Sequence, residues 1–400
     1  MKTKRLFLGG LLLALVALAV APTLAQDEEF VFGLVLVGPE NDHGWSQAHH
    51  EGGLYAEQHV PGSRMIFFPS LNPADNPQTT LMDVVTEMVD QGAQLILTTS
   101  DEFQNDTDPV AAAFPEVTFV NISGDHALTG TAPTNVGNLM GMMEWGKLMA
   151  GCAAGLATQT GSIGYLGPLI NNETRRLASS AFLGAKYCYE NYASGDPADL
   201  TFTVTWIGFW FNIPGVTLDP TEETNSFFDN GADVVISGID TTEGIVVAGQ
   251  RAAEGETVFA VPYDFEGACD EAPEVCIGVP YFHWGPSYAT LVQSVMDGTW
   301  AQSWDWVGPD WTDINNPDTT NVGFVKGSAL TEEQAANLDA FIADLGEYAT
   351  NPFVPASIAL WSGPLTLQDG TELAPAGQLV EPLDVWYLEQ LLEGMTGASS

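Results

Sequence analysis

Carboxylates, amides and large aromatic rings recur in this sequence directly after short apolar runs. Residues 30–37 (FVFGLVLV) lead into Pro39, Glu40, Asn41, Asp42 and Trp45, and residues 94–99 into Ser100, Asp101, Glu102 and Phe103. Residues 117–122 are followed by Ser123, Gly124 and Asp125, and residues 161–167 by Asn171, Asn172 and Glu173. Residues 200–207 precede Trp210, Phe211 and Asn212; Asp240 follows 233–239, and Tyr263 with Asp264 closes 257–263. Residues 276–279 run on to Tyr281, Phe282, His283 and Trp284. Aromatic faces hold a flat ring by stacking, while Asp and Asn fix its polar edge or attached hydroxyls. The expected chemistry is binding of a heteroaromatic or sugar-bearing solute. The residues expected to carry it are Asn41, Asp42, Trp45, Asp101, Phe103, Trp210, Asn212, Asp240, Tyr263, Asp264 and Trp284.

Catalytic readings fare worse. His43, His49, His50 and Glu51 are close in sequence, but His49 and His50 are adjacent and point to different faces of a helix, without H-E-x-x-H spacing. The chain has no G-x-S-x-G elbow, Walker loop or G-x-G-x-x-G fingerprint. No enzymatic activity, metal or cofactor is therefore expected.

These groups need elements to position them. Continuous apolar runs alternate with helical patterns, which points to parallel strands covered on both faces. Strands are expected at 30–37, 64–68, 94–99 and 117–122, with helices at 45–59 and 79–91. The rhythm restarts with a helix at 140–156. Strands follow at 161–167, 200–207, 233–239 and 257–263, with helices at 173–192, 221–230 and 244–253. Two further helices are expected near 331–349 and 381–394. The fold class is α/β, with two doubly wound lobes. In such sheets ligands bind beyond the carboxyl ends of the strands, where the residues above cluster.

Residues 1–25 combine a basic start, an apolar run at 6–20 and small residues before Gln26, the pattern of a secretory signal peptide. No cysteine at the junction could take a lipid anchor. An exported protein in the periplasm or outside the cell is expected. The chain has 10 Lys+Arg against 52 Asp+Glu, a net charge of −42, which argues against nucleic-acid polymers and anionic membranes as partners. In an oxidising compartment Cys269 and Cys276 are spaced for a local disulfide, while Cys152 and Cys188 are either paired or simply buried.

Several segments carry a family resemblance. Gly38-Pro39-x-Asn41-Asp42-x-Gly44-Trp45-Ser46-Gln47-Ala48-His49, followed by Glu51-Gly52, resembles the first strand–helix junction of the basic-membrane-protein family of substrate-binding proteins, which includes purine-nucleoside receptors. Ala112-x-Phe114-Pro115-x-Val117-x-Phe119 resembles that family's approach to its fourth strand. Leu148-x-Ala150-Gly151, Ala153-Ala154-Gly155 and Thr160-Gly161-x-Ile163-Gly164 resemble its crossing into the second lobe, and Asn230-Gly231-Ala232-Asp233-Val234 its G-A-D-V strand.

The resemblance implies two Rossmann-like lobes of periplasmic-binding-protein type I architecture, with a hinge and an interlobe ligand cleft. The first lobe would span 29–137 with about 284–305, and the second 138–283 with part of 306–400. It implies a monomeric receptor that closes on a purine, nucleoside or similar small molecule and presents it to an ABC permease in the membrane. The same fold also serves sensors and receptors for other ring or sugar ligands. Asn41 and Asp42 would hydrogen-bond the ligand, Trp45 would stack on it, and Asp101 or Phe103 would line the first-lobe wall. Trp210 and Asp240 would come from the second lobe, with Asp240 facing ribose hydroxyls or a ring N–H. Two departures stand out. Residues 209–219 are longer than the family's turn, leaving Asn212 or Asp219 to replace its acid, and no lysine follows Asp240 where nucleoside receptors often present one.

Overall fold

The computed structural model describes residues 29–351 and 358–400; the expected signal peptide at 1–25 lies outside the described residues. Strands β1 (Phe30–Val35), β2 (Ser63–Phe68), β3 (Ala93–Thr98), β4 (Thr118–Ile122) and β5 (Val136–Gly141) alternate with helices. After the helix Met143–Ala157 come β6 (Ser162–Gly167), β7 (Thr201–Trp206), β8 (Val234–Ser237) and β9 (Phe259–Val261). The chain continues through β10 (Gly278–Phe282), β11 (Trp304–Val307) and β12 (Val322–Lys326). The tail adds β13 (Leu365–Thr366), β14 (Glu372–Ala374) and β15 (Met395–Thr396).

The strands form two parallel sheets, ordered β11-β5-β4-β3-β1-β2 and β15-β7-β6-β8-β9. β1 is buried along its whole length, as a strand covered by helices on both faces must be. Each sheet has its own core, one around Phe32, Leu95 and Phe119 and one around Tyr165, Phe202 and Val234. The chain crosses between the lobes after β5, through β10, and between β11 and β12; β10 and β12 pair antiparallel. Helices begin where their caps dictate. Thr80, Asn171 and Thr331 each form a reciprocal capping box with the residue three positions on.

The two helices that open the second lobe, Met143–Ala157 and Asn172–Asn191, approach closely through glycine. A Cβ on Gly151 would stand 1.9 Å from the Ala181 carbonyl oxygen, and one on Gly184 2.0 Å from that of Leu148. The Cys152–Cys188 disulfide ties the same pair, and Cys269–Cys276 closes a short loop. The question left open at Cys152 and Cys188 is thus answered by pairing.

Two expectations need correction. The helix expected at 140–156 begins only at Met143, because Val136–Gly141 is a strand held between β4 and β11. The four half-buried residues of β11 gave no clear strand signal. The helix expected at 381–394 shrinks to Pro382–Trp386. Beyond it the backbone bonds sideways, Glu393 N–H to Thr366 and Gln368 N–H to Leu391, while Leu388, Leu391 and Leu392 are buried. Among the described residues no helix is long and apolar enough to cross a membrane.

Gly184→Ala supplies a test by sign. In an exposed helix that change would stabilise by about 1 kcal/mol. Here it should destabilise by about 1–3 kcal/mol, read by denaturant unfolding, because the facing atoms are backbone and cannot rotate away.

Candidate ligand-binding site between the lobes

The carboxyl ends of both sheets face each other across a narrow, almost filled cavity of about 10 Å³, room for about one water molecule. The first lobe contributes Trp45, at the start of the helix after β1, with Ser100 and Asp101 after β3 and Ser123 after β4. The second contributes Glu173 from the first turn of Asn172–Asn191, Trp210 beyond β7, Asp240 beyond β8 and Tyr263 beyond β9.

The lobes are closed on one another. Ser123 Oγ donates to Glu173 at 2.6 Å, and Asn171 Nδ2 to Asp101 at 3.0 Å. The His43 ring nitrogen lies 2.5 Å from Glu271, and the Tyr387 hydroxyl donates to Asp125 at 2.8 Å. At the closest approach a Cβ on Gly44 would stand 1.6 Å from the Asp240 carbonyl oxygen. Only glycine lets the first lobe reach this position.

Trp45 is held from behind. Its indole N–H donates to the Thr99 carbonyl at 2.7 Å, and its ring meets His49, Phe282 and Trp284 edge-on. Trp284 stacks on His49 at 4.4 Å and on Phe282 at 4.7 Å, so these rings form a packed aromatic core under the site. Burial holds the His49 imidazole well below its usual range, which keeps it neutral. Trp210 is 8% exposed; its indole N–H makes no hydrogen bond of normal geometry with the described residues, and the Glu102 carboxylate lies beside it.

The acids are crowded and poorly solvated. Burial, with Glu173 and Glu102 adding repulsion, pushes Asp101 up to about 7. Burial also raises Asp240 far above the ordinary aspartate range, and Asp264, Asp42, Glu173 and Asp101 act in the same direction. Asp264 lies beneath the cavity, fully buried at φ +70°, and its two carboxylate oxygens have no hydrogen-bond partner among the described residues. Lys147 is the nearby cation. Its Nζ donates to the Ser237 carbonyl at 2.6 Å and sits 3.2 Å from the Tyr263 ring centroid. Burial pushes it down to about 7, against the attraction of Asp264.

Of the residues expected from sequence, Trp45, Asp101, Trp210, Asp240 and Tyr263 meet at the cavity. The others lie elsewhere. Asn41 is exposed, and Asp42 accepts the backbone N–H groups of Gly44, Ser46 and Gln47, capping the helix rather than facing the cavity. Phe103 lines a separate outer crevice with Leu71, Asn72 and Phe209. Asn212 accepts from Thr217 within its own loop, and Trp284 belongs to the aromatic core. Ser100, Ser123 and Glu173 stood at the strand ends in sequence but were not among the expected site residues. Lys147 was missed; its only signal was a lone lysine in the otherwise apolar run 146–157.

The model of a family described as ABC transporter substrate-binding protein, PnrA-like, matches residues 30–307. A purine-binding protein of Brucella abortus is 26% identical over 362 residues, 88% of this chain and 89% of that protein. A putative ABC transporter glucose-binding protein of Haloferax volcanii is 25% identical over 328 residues, 80% of this chain and 76% of that protein. An ABC transporter solute-binding protein from Aeropyrum pernix superposes with a TM-score of 0.61 at 15% identity, covering 91% of this chain and 100% of that one. That likeness speaks to fold.

Two outcomes follow from the geometry. Gly44→Ala should leave the melting temperature of the unliganded protein nearly unchanged yet hold the lobes apart, visible as a larger radius of gyration in X-ray scattering. Asp101 carries its proton to about pH 7 when folded but titrates near 3.8 when unfolded. The folded state therefore binds more protons between those values, and stability falls as pH rises through that window. The melting temperature of the unliganded protein should drop from pH 4 to pH 7, and Asp101→Asn should flatten that slope.

Proposed function

The chain belongs to the PnrA-like family of ABC transporter substrate-binding proteins, and from that premise we propose that its ligand is a purine base or nucleoside held between the lobes. The supporting observation is the meeting of Trp45 and Trp210, from opposite lobes, around Asp101, Glu173 and Asp240. The rings bracket a flat heterocycle, and the carboxylates accept its N–H groups or ribose hydroxyls. The Brucella abortus relative is itself described as purine-binding.

In this reading the solute first meets one lobe, and hinge closure brings Trp210 and Asp240 onto it. The closed complex then delivers it to the membrane permease. Export by removal of residues 1–25 completes the proposal, with mass spectrometry of the secreted protein as its check. A sugar ligand is the second reading, because the same carboxylates suit sugar hydroxyls and the Haloferax volcanii relative is described as glucose-binding.

Thermal-shift screening of the purified protein against purine bases, nucleosides, pyrimidines and monosaccharides separates the two. Purines or nucleosides should raise the melting temperature selectively; a rise with glucose alone would replace the ligand class and keep the site. With the ligand so found, Trp210→Ala and Asp240→Ala should each cost about 2–4 kcal/mol of binding by calorimetry. Wild-type affinity in both would move the site elsewhere.

A further inference from the structure

The described residues lining the cavity include three acids, Asp101, Glu173 and Asp240, and no Lys, Arg or His. The charges of Asp42 and Asp264 reach Asp240 as well. Lys147 does not answer them from within the cavity, since its Nζ is committed to the Ser237 carbonyl and the Tyr263 ring. Most donors that could have served an anion are also spent, and the Trp210 indole N–H has the Glu102 carboxylate beside it. Ser123 Oγ is turned to Glu173, the Asn171 amide to Asp101 and the Trp45 indole to Thr99. The acceptors, by contrast, are open. Asp240 is 5% exposed, and its carboxylate makes no hydrogen bond with the described residues.

We infer that the site selects by charge, taking a neutral or cationic solute rich in N–H or O–H donors and rejecting the same ring or sugar when it carries a carboxylate or phosphate. A donor placed against Asp240 satisfies a buried acceptor that is otherwise unpaired, a group expensive to leave unmet. Wherever Asp101 and Asp240 have lost their protons, a ligand anion would sit against like charge inside closed lobes, where water screens little. Holding it would require protons on Asp101 and Asp240 together, beside Glu173. The inference rests on the ligand site proposed above but not on the ligand being a purine.

Isosteric amide and acid pairs isolate charge from size. Calorimetry on the full mature chain would compare purine-6-carboxamide with purine-6-carboxylate, and glucuronamide with glucuronate. The amide of the recognised pair should bind at least about 100-fold more tightly, the penalty typical of like-charge juxtaposition. Asp240→Asn, which keeps the shape and removes the ionisable group, should narrow that ratio about tenfold. Equal affinities for amide and acid, or tighter binding of the acid, would overturn the charge rule. So would failure of both amides at millimolar concentration. Discrimination seen only in the sugar pair would retire the purine reading and leave the charge rule standing.

Discussion

Closing two lobes over a group of carboxylates is the constraint on which the rest of this structure turns. Asp101, Glu173 and Asp240 come from separate strand ends and meet only because the lobes do. Burial makes the charge of Asp101 and of Asp240 expensive, and Glu173 adds its repulsion to both. The closed form must therefore hold protons, or accept donors from something placed between the lobes. A binding protein gains from this arrangement, because the ligand supplies what the closed empty protein lacks, and closure is thereby coupled to occupancy.

Two kinds of rigidity keep that balance in place. Below the cavity, the stack of His49, Trp284 and Phe282 fixes the Trp45 ring, so the first-lobe wall is formed before any ligand arrives. In the second lobe, the glycine-lined contact of helices Met143–Ala157 and Asn172–Asn191, with its disulfide, sets the positions of both Lys147 and Glu173. The chain passes between the lobes after β5, at β10 and between β11 and β12, and a hinge motion would have to bend there. The close pass of Gly44 over the Asp240 carbonyl marks where that movement stops.

Much of the architecture was legible in the sequence. The apolar runs and helical patterns place most strands and helices within a few residues, because periodicity and capping are local. The helix Trp45–His59 has the bounds expected of it. β11 was not seen, since four half-buried residues at a sheet edge carry little periodic signal. The tail after Trp386 defeated a helical reading because its backbone hydrogen bonds go to residues 366–368, more than twenty positions away.

The sequence by itself determined two α/β lobes, the chemistry at their strand ends and the kinship with solute receptors, all carried by short-range pattern. Tertiary structure decided which polar residues serve which end. Asp42 and Asp240 read alike as acids after a strand, yet backbone amides take the first as a helix cap and leave the second facing the cavity. Lys147, inside an apolar helical run, has no sequence feature that ties it to Tyr263 and Asp264 more than a hundred residues later. That association exists only once the helix is packed beneath the second sheet. Burial and charge coupling belong to the folded arrangement, and no local spacing encodes them.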